Sequence, residues 1–129
     1  MTKKPPAAAV THLVLPPDPR AVSAARRFVR SCGREAGLSE DALDIVVLLT
    51  SEAVTNAFIH GRSEARLTFT ARLGKVFVEV GDDTRRSLQP LAPPPDALGG
   101  RGLAILDTLA SRWGVRDDPY GKVVWFEVG

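Results

Sequence analysis

The chain has 129 residues, 44% hydrophobic and 25% charged, with a net charge of +2, which suits one domain built on a single core. One cysteine, Cys32, excludes an internal disulfide and a cysteine-based metal cluster and fits a reducing compartment. The charge is too small to argue for direct nucleic-acid binding, and no apolar run is long enough to cross a bilayer, so the expectation is a cytoplasmic protein without a membrane span.

Residues 1–9, rich in Pro and Ala with little to bury, read as a flexible tail before a domain at 10–129, and the basic start does not make a signal peptide. Val10 to Leu15 partly alternates and is bounded by Pro16 and Pro17, which suits an edge strand with His12 exposed. Asp18 and Pro19 then open a helix as N-cap and first helical residue. Its apolar face is Ala21, Ala24, Ala25, Phe28, Val29 and Cys32, while Arg20, Arg26, Arg27, Arg30 and Arg34 lie mostly elsewhere. Those arginines read either as a solvated helix surface or as a basic face for an acidic protein partner.

Gly37 stops this helix, and Ser39 caps a second whose first turn carries Glu40 and Asp41, where the helix dipole favours negative charge. The second helix runs to about His60, with Gly61 as a left-handed stop. Glu52 and Asn56 fall one turn apart on its otherwise apolar face with Ile45, Leu48 and Leu49. A carboxylate and a carboxamide there must be hydrogen-bonded, paired or turned to a ligand, because an unsatisfied buried polar group is costly. A satisfied structural pair between helix and sheet is one reading, and a site is the other.

Residues 65–72 and 75–82 alternate as two strands joined by a tight turn at Leu73-Gly74. From Asp82 to Gly100 the periodicity stops, and Pro90, Pro93, Pro94 and Pro95 exclude a helix, so a lid or binding loop is expected over about 83–100. Gly99-Gly100-Arg101-Gly102 stands directly before an amphipathic helix carrying Leu103, Ile105, Leu106 and Leu109. Glycines at a helix start let backbone N–H groups approach an anion, although a hinge would look the same. The end of the chain reads as a second hairpin turning at residues 117–121, with Trp113 and Trp125 covering core or sheet. The sum is an α+β two-layer sandwich: a mostly antiparallel, mixed sheet of about five strands, covered on one face by three helices.

No G-x-x-x-x-G-K-[ST] loop is present, the glycine cluster follows a loop rather than a strand, and two isolated histidines make no zinc site. What remains is an ordered trio: E-x-x-x-N on a helix, an Asp closing a strand, and glycines leading into a helix. Residues 51–61, SEAVTNAFIHG, resemble the N box of the ATPase superfamily shared by gyrase B, heat-shock chaperones, mismatch-repair ATPases and histidine kinases, the GHKL or Bergerat fold. Residues 78–83, VEVGDD, resemble the strand ending in the adenine-reading Asp, and Gly99-Gly100-Arg101-Gly102-Leu103 resembles the second glycine box. With Ala24-Ala25-Arg26-Arg27-Phe28 upstream and D-x-x-A-x-x-W-G at residues 107–114, the chain is similar to short actinomycete anti-sigma-factor serine/threonine kinases of the RsbW/SpoIIAB type.

The resemblance implies ATP and Mg²⁺ as cofactors. Asn56 is the implied Mg²⁺ ligand, Glu52 the general base, and Asp82 the adenine acceptor. Gly100, Arg101, Gly102 and Leu103 are the implied phosphate contacts. It also implies a sigma factor and an anti-anti-sigma (STAS-domain) protein as partners, and a homodimer. One departure stands out: where the family continues D-x-G, this chain reads Asp82-Asp83-Thr84, which makes Asp83 a competitor for the adenine role.

Overall fold

The computed structural model describes residues 9–60, 64–82, 99–119 and 121–129, the side chains of residues 59, 60 and 99–103 excepted. Along the chain run β1 (Ala9–Leu15), α1 (Arg20–Glu35), α2 (Glu40–His60), β2 (Ala65–Arg72), β3 (Lys75–Gly81), α3 (Gly99–Leu109), β4 (Arg112–Asp118) and β5 (Gly121–Val128). The strands form one sheet in the order β1-β2-β3-β5-β4. All four pairings are antiparallel, which bears out the expected, mostly antiparallel sheet of about five strands, with no parallel pair among the described strands. Ala9 already pairs with Ala71, one residue earlier than the expected edge of the domain.

Period-two alternation decides the two faces of the sheet. Leu15, Leu67, Phe69, Val76, Val78, Val80, Val124, Phe126 and Val128 point to one side and are buried beneath the helices. The helices answer with Ala21, Ala25 and Val29 of α1, Val46, Leu49, Ala53, Val54 and Ala57 of α2, and Leu106 of α3. At about 25 cal/mol per Å² of apolar surface, this burial is the main force holding the layers together. The other face of the sheet carries its own cover. Phe77 and Trp125 pack at 5.5 Å between centroids, Arg112 lies over the indole, and Arg112–Glu127 (3.2 Å), Arg116–Glu79 and Arg66–Asp118 (3.9 Å) pair across strands. Trp125 lies so close over Gly114 that a Cβ there would sit 2.8 Å from the ring.

The caps follow the sequence. Pro19 is helical (φ −52°), and the Asp18 carboxylate accepts the Arg20 backbone N–H at 2.9 Å. The Arg20 guanidinium on that carboxylate, and then the same backbone N–H, hold its pKa below the ordinary value. Gly37, at φ +82°, closes α1 by letting Leu38 N–H reach Gly33 O at 3.0 Å. The Ser39 hydroxyl accepts the Ala42 N–H at 3.1 Å to start α2. The arginines of α1 are not simply a solvated surface. Arg30 reaches Asp44 (3.6 Å), Arg34 reaches Glu40 (4.0 Å), and Arg26 donates twice to the Ser51 hydroxyl (2.9 and 2.7 Å), three rungs joining α1 to α2. Among the described residues, no helix is long and apolar enough to cross a membrane.

Candidate functional site

The candidate residues lie on α2, directly after β3 and at the start of α3, and α2 touches β3, β5 and α3. α2 is apolar on the side facing the sheet, and that face fixes its rotation. With Val46, Leu49, Ala53, Val54 and Ala57 buried, Glu52 is left half-buried and Asn56 only 7% exposed. Among the described residues neither side chain makes a hydrogen bond or ion pair, with each other or with anything else. That removes the reading of Glu52 and Asn56 as a satisfied structural pair within the described part of the fold. A half-buried carboxylate and a buried carboxamide without partners among the described residues leave a ligand as the other reading.

Asp82 follows directly on β3 and is also buried, at 6% exposure. Its backbone N–H donates to Lys122 O at 2.9 Å, and its carboxylate takes the Lys122 N–H at 3.4 Å, so β5 holds the residue from both ends. An ionised carboxylate accepts N–H donors only, which is the chemistry that reading an exocyclic amino group requires.

The glycine cluster differs from its sequence reading. Gly99 to Leu103 form the first turn of α3 rather than a loop ahead of it, so the loop expected to run to residue 100 stops earlier. The first four backbone N–H groups of a helix have no partner within it, which suits Gly100, Arg101 and Gly102 to an anion through their main chain. Leu103 is the fifth residue, and its N–H falls to Gly99 O in the helix. Asp83, the rest of the expected lid and Gly61 lie outside the described residues. Glu52 and Asn56 thus lie on α2, Asp82 directly after β3 and the glycines at the start of α3, and α2 is the element that touches both β3 and α3.

The sequence reading missed two residues near this site. The Arg26 guanidinium reaches Ser51, immediately before Glu52, and the Trp113 indole N–H donates to Asp107 Oδ1 at 3.3 Å. Neither pairing leaves a local signal, because the partners sit on different elements. Among the described residues no group of three His, Cys, Asp or Glu could hold a metal by itself. A single carboxamide oxygen at Asn56 still fits a Mg²⁺ that arrives with nucleotide phosphates, since that cation takes few protein ligands and keeps phosphate and water oxygens.

Residues 15–128 match the histidine kinase-like ATPase domain model, and the chain belongs to that family. Its fold is similar to that of the RsbU and RsbW domains of Rv1364c from Mycobacterium tuberculosis, with a TM-score of 0.68 and 23% identity. The match covers 93% of this chain and 32% of that one, so this chain spans about a third of its structural neighbour. No curated protein matches the chain.

Proposed function

We propose that the chain is an anti-sigma regulatory kinase that binds Mg-ATP between α2, the end of β3 and the first turn of α3. The observation that carries this reading is the pair Glu52 and Asn56, one turn apart on α2 and without partners among the described residues, together with Asp82 anchored to β5 directly after β3. Asp82 accepts the adenine amino N–H, and Asn56 offers its amide oxygen to Mg²⁺. The N–H groups of Gly100, Arg101 and Gly102 at the start of α3 take the phosphates. The bound Mg-ATP supplies the phosphoryl group and neutralises its charge. Glu52 accepts the proton of the attacking Ser or Thr hydroxyl, which orients that oxygen for transfer.

The phosphorylated protein is an anti-anti-sigma (STAS-domain) partner, and the chain holds a sigma factor through another surface. A phosphate on the partner adds negative charge and releases it. The domain spans residues 10–129 and acts in the cytoplasm as a homodimer, with a lid before α3 over the nucleotide. Isothermal titration of Mg-ATP tests the site: wild type binds, and Asn56→Ala and Asp82→Ala do not. No binding by wild type at millimolar ATP ends the proposal. Asp83→Ala, run alongside, settles which aspartate reads adenine.

A second reading is a nucleotide-binding adaptor of the same fold acting by protein contact alone, without phosphoryl transfer, while the Asp82-Asp83-Thr84 departure bears on the adenine contact in either reading. Glu52→Ala separates the two: a kinase loses partner phosphorylation while still binding ATP, and an adaptor keeps its regulation.

A further inference from the structure

Three of the first four residues of α3 are glycine, and glycine is among the poorest helix formers because it gives up the most backbone freedom. The glycine turn holds as helix only as an extension of a half that is anchored. That anchor lies in the C-terminal half. Leu106 is 1% exposed in the core, Ile105, Leu109 and Ala110 pack against it, and Ala110 N–H closes onto Leu106 O at 2.9 Å. Ser111 N–H then joins the sheet at Glu127 O, 2.8 Å away.

One residue in this anchor is electrostatically misplaced. Asp107 stands in the last turn of α3, with no basic residue there, where the negative end of the helix dipole disfavours a carboxylate. Its contact explains its presence: the Trp113 indole N–H donates to Asp107 Oδ1 at 3.3 Å, and the Trp113 ring packs on the core from β4. The bond ties the rotation of α3 to the sheet, about 10 Å along the helix from the glycine turn.

We propose that Asp107 and Trp113 are positioning residues for the nucleotide's phosphates. Core packing holds the far half of α3, and their bond fixes its rotation against β4, and so sets where the N–H groups of Gly100, Arg101 and Gly102 stand. This rests on the reading of that turn as the phosphate cradle. It also explains the D-x-x-A-x-x-W-G run at residues 107–114: the acid accepts, Ala110 closes the helix on the core, Trp donates, and Gly114 leaves room for Trp125.

Titration of Mg-ATP and of adenosine into Asp107→Ala, Asp107→Asn, Trp113→Phe and the double variant Asp107→Ala/Trp113→Phe tests the proposal, with melting temperature and amide exchange measured on each. Asp107 is exposed and the bond is 3.3 Å long, so Asp107→Ala weakens ATP binding about two- to fivefold, at most about 1 kcal/mol. It leaves adenosine binding unchanged, because Asp82 holds the base, and it leaves the melting temperature level or raised, because Ala suits the end of a helix better than Asp. Asp107→Asn keeps a carbonyl acceptor and restores ATP affinity. Trp113→Phe gives the same selective loss, and the double variant adds nothing to it. Exchange of the first-turn amides speeds up in Asp107→Ala. The proposal is overturned if Asp107→Ala keeps its preference for ATP over adenosine, if its first-turn amides exchange as in wild type, or if both ligands weaken in step with melting temperature. Failure of the nucleotide site itself shows separately, as absence of ATP binding by wild type.

Discussion

Gly33 sits inside α1 with its Cα pressed against α2, and replacing it with alanine sets two effects of opposite sign against each other. Alanine is the better helix former, by about 1 kcal/mol in a helix interior. The added Cβ, however, falls 2.5 Å from Leu43 Cδ2 and 3.2 Å from Leu38 Cδ1. Leu43 is fully buried, so its methyl cannot swing into solvent. Forcing a methyl into packed surroundings costs about 1–3 kcal/mol. The overpacking wins, and Gly33→Ala is expected to lose about 1 kcal/mol net. In urea that is a midpoint lowered by about 0.5 M at unchanged slope. A second variant tests the cause rather than the sum. In a Leu43→Ala background the methyl has room, so Gly33→Ala there should stabilise by its helix propensity alone, a reversal of sign that double-mutant analysis reads directly. If Gly33→Ala is more stable than wild type in the native background, the helix contact is looser than described and the reasoning fails.

Thr50 is fully buried on α2, and its hydroxyl has no partner among the described residues, so the near-isosteric Thr50→Val should gain about 1 kcal/mol in urea unfolding; a loss would mean the hydroxyl is satisfied. Leu73 has φ +52° at the tip of the β2–β3 hairpin and is 87% exposed, so Leu73→Asn, which suits a turn whose central residues both have positive φ, should raise the melting temperature by a few degrees, at about 1 kcal/mol. Burial pushes the Cys32 thiol up, with the neighbouring Glu35 adding to it against the Thr11 hydrogen bond. Alkylation by iodoacetamide at pH 8 should therefore be slower in the folded protein than in urea, and equal rates would place the thiol in solvent.

The strands were legible because a half-buried strand writes its burial directly into the chain. Leu67, Phe69 and Ala71, and Val76, Val78 and Val80, alternate as the structure buries them. The caps were legible for a similar reason, since Asp18, Gly37 and Ser39 act on backbone groups a few residues away. The start of α3 was not. Three glycines argue against helix locally, and packing of Leu106 and its neighbours overrides that preference from further along the chain. The arginines of α1 were ambiguous, because whether Arg30 finds water or Asp44 depends on the relative register of two helices. In the site, Glu52, Asn56 and Asp82 stood out as polar residues in apolar surroundings, but their unpaired or anchored state required three-dimensional neighbours.

The three parts of the site are held by separate means, and that separation has consequences for variants. α2 is set by its core face and by the rungs from Arg26, Arg30 and Arg34, Asp82 by the backbone of β5, and the first turn of α3 by contacts near its far end. Gly33 and Leu43 meet near the start of α2, about 20 Å along the helix from Asn56. A shift there is absorbed by the intervening buried residues Val46, Leu49 and Ala53 before it reaches the site. Gly33→Ala should therefore lower stability while leaving Mg-ATP affinity within about twofold, since sites this far apart with no shared partners combine nearly additively. Calorimetry on the folded variant at 15 °C, where it remains native, reads this cleanly. A fall in ATP affinity in proportion to the loss of stability would show that α1 and α2 move as one body with the site.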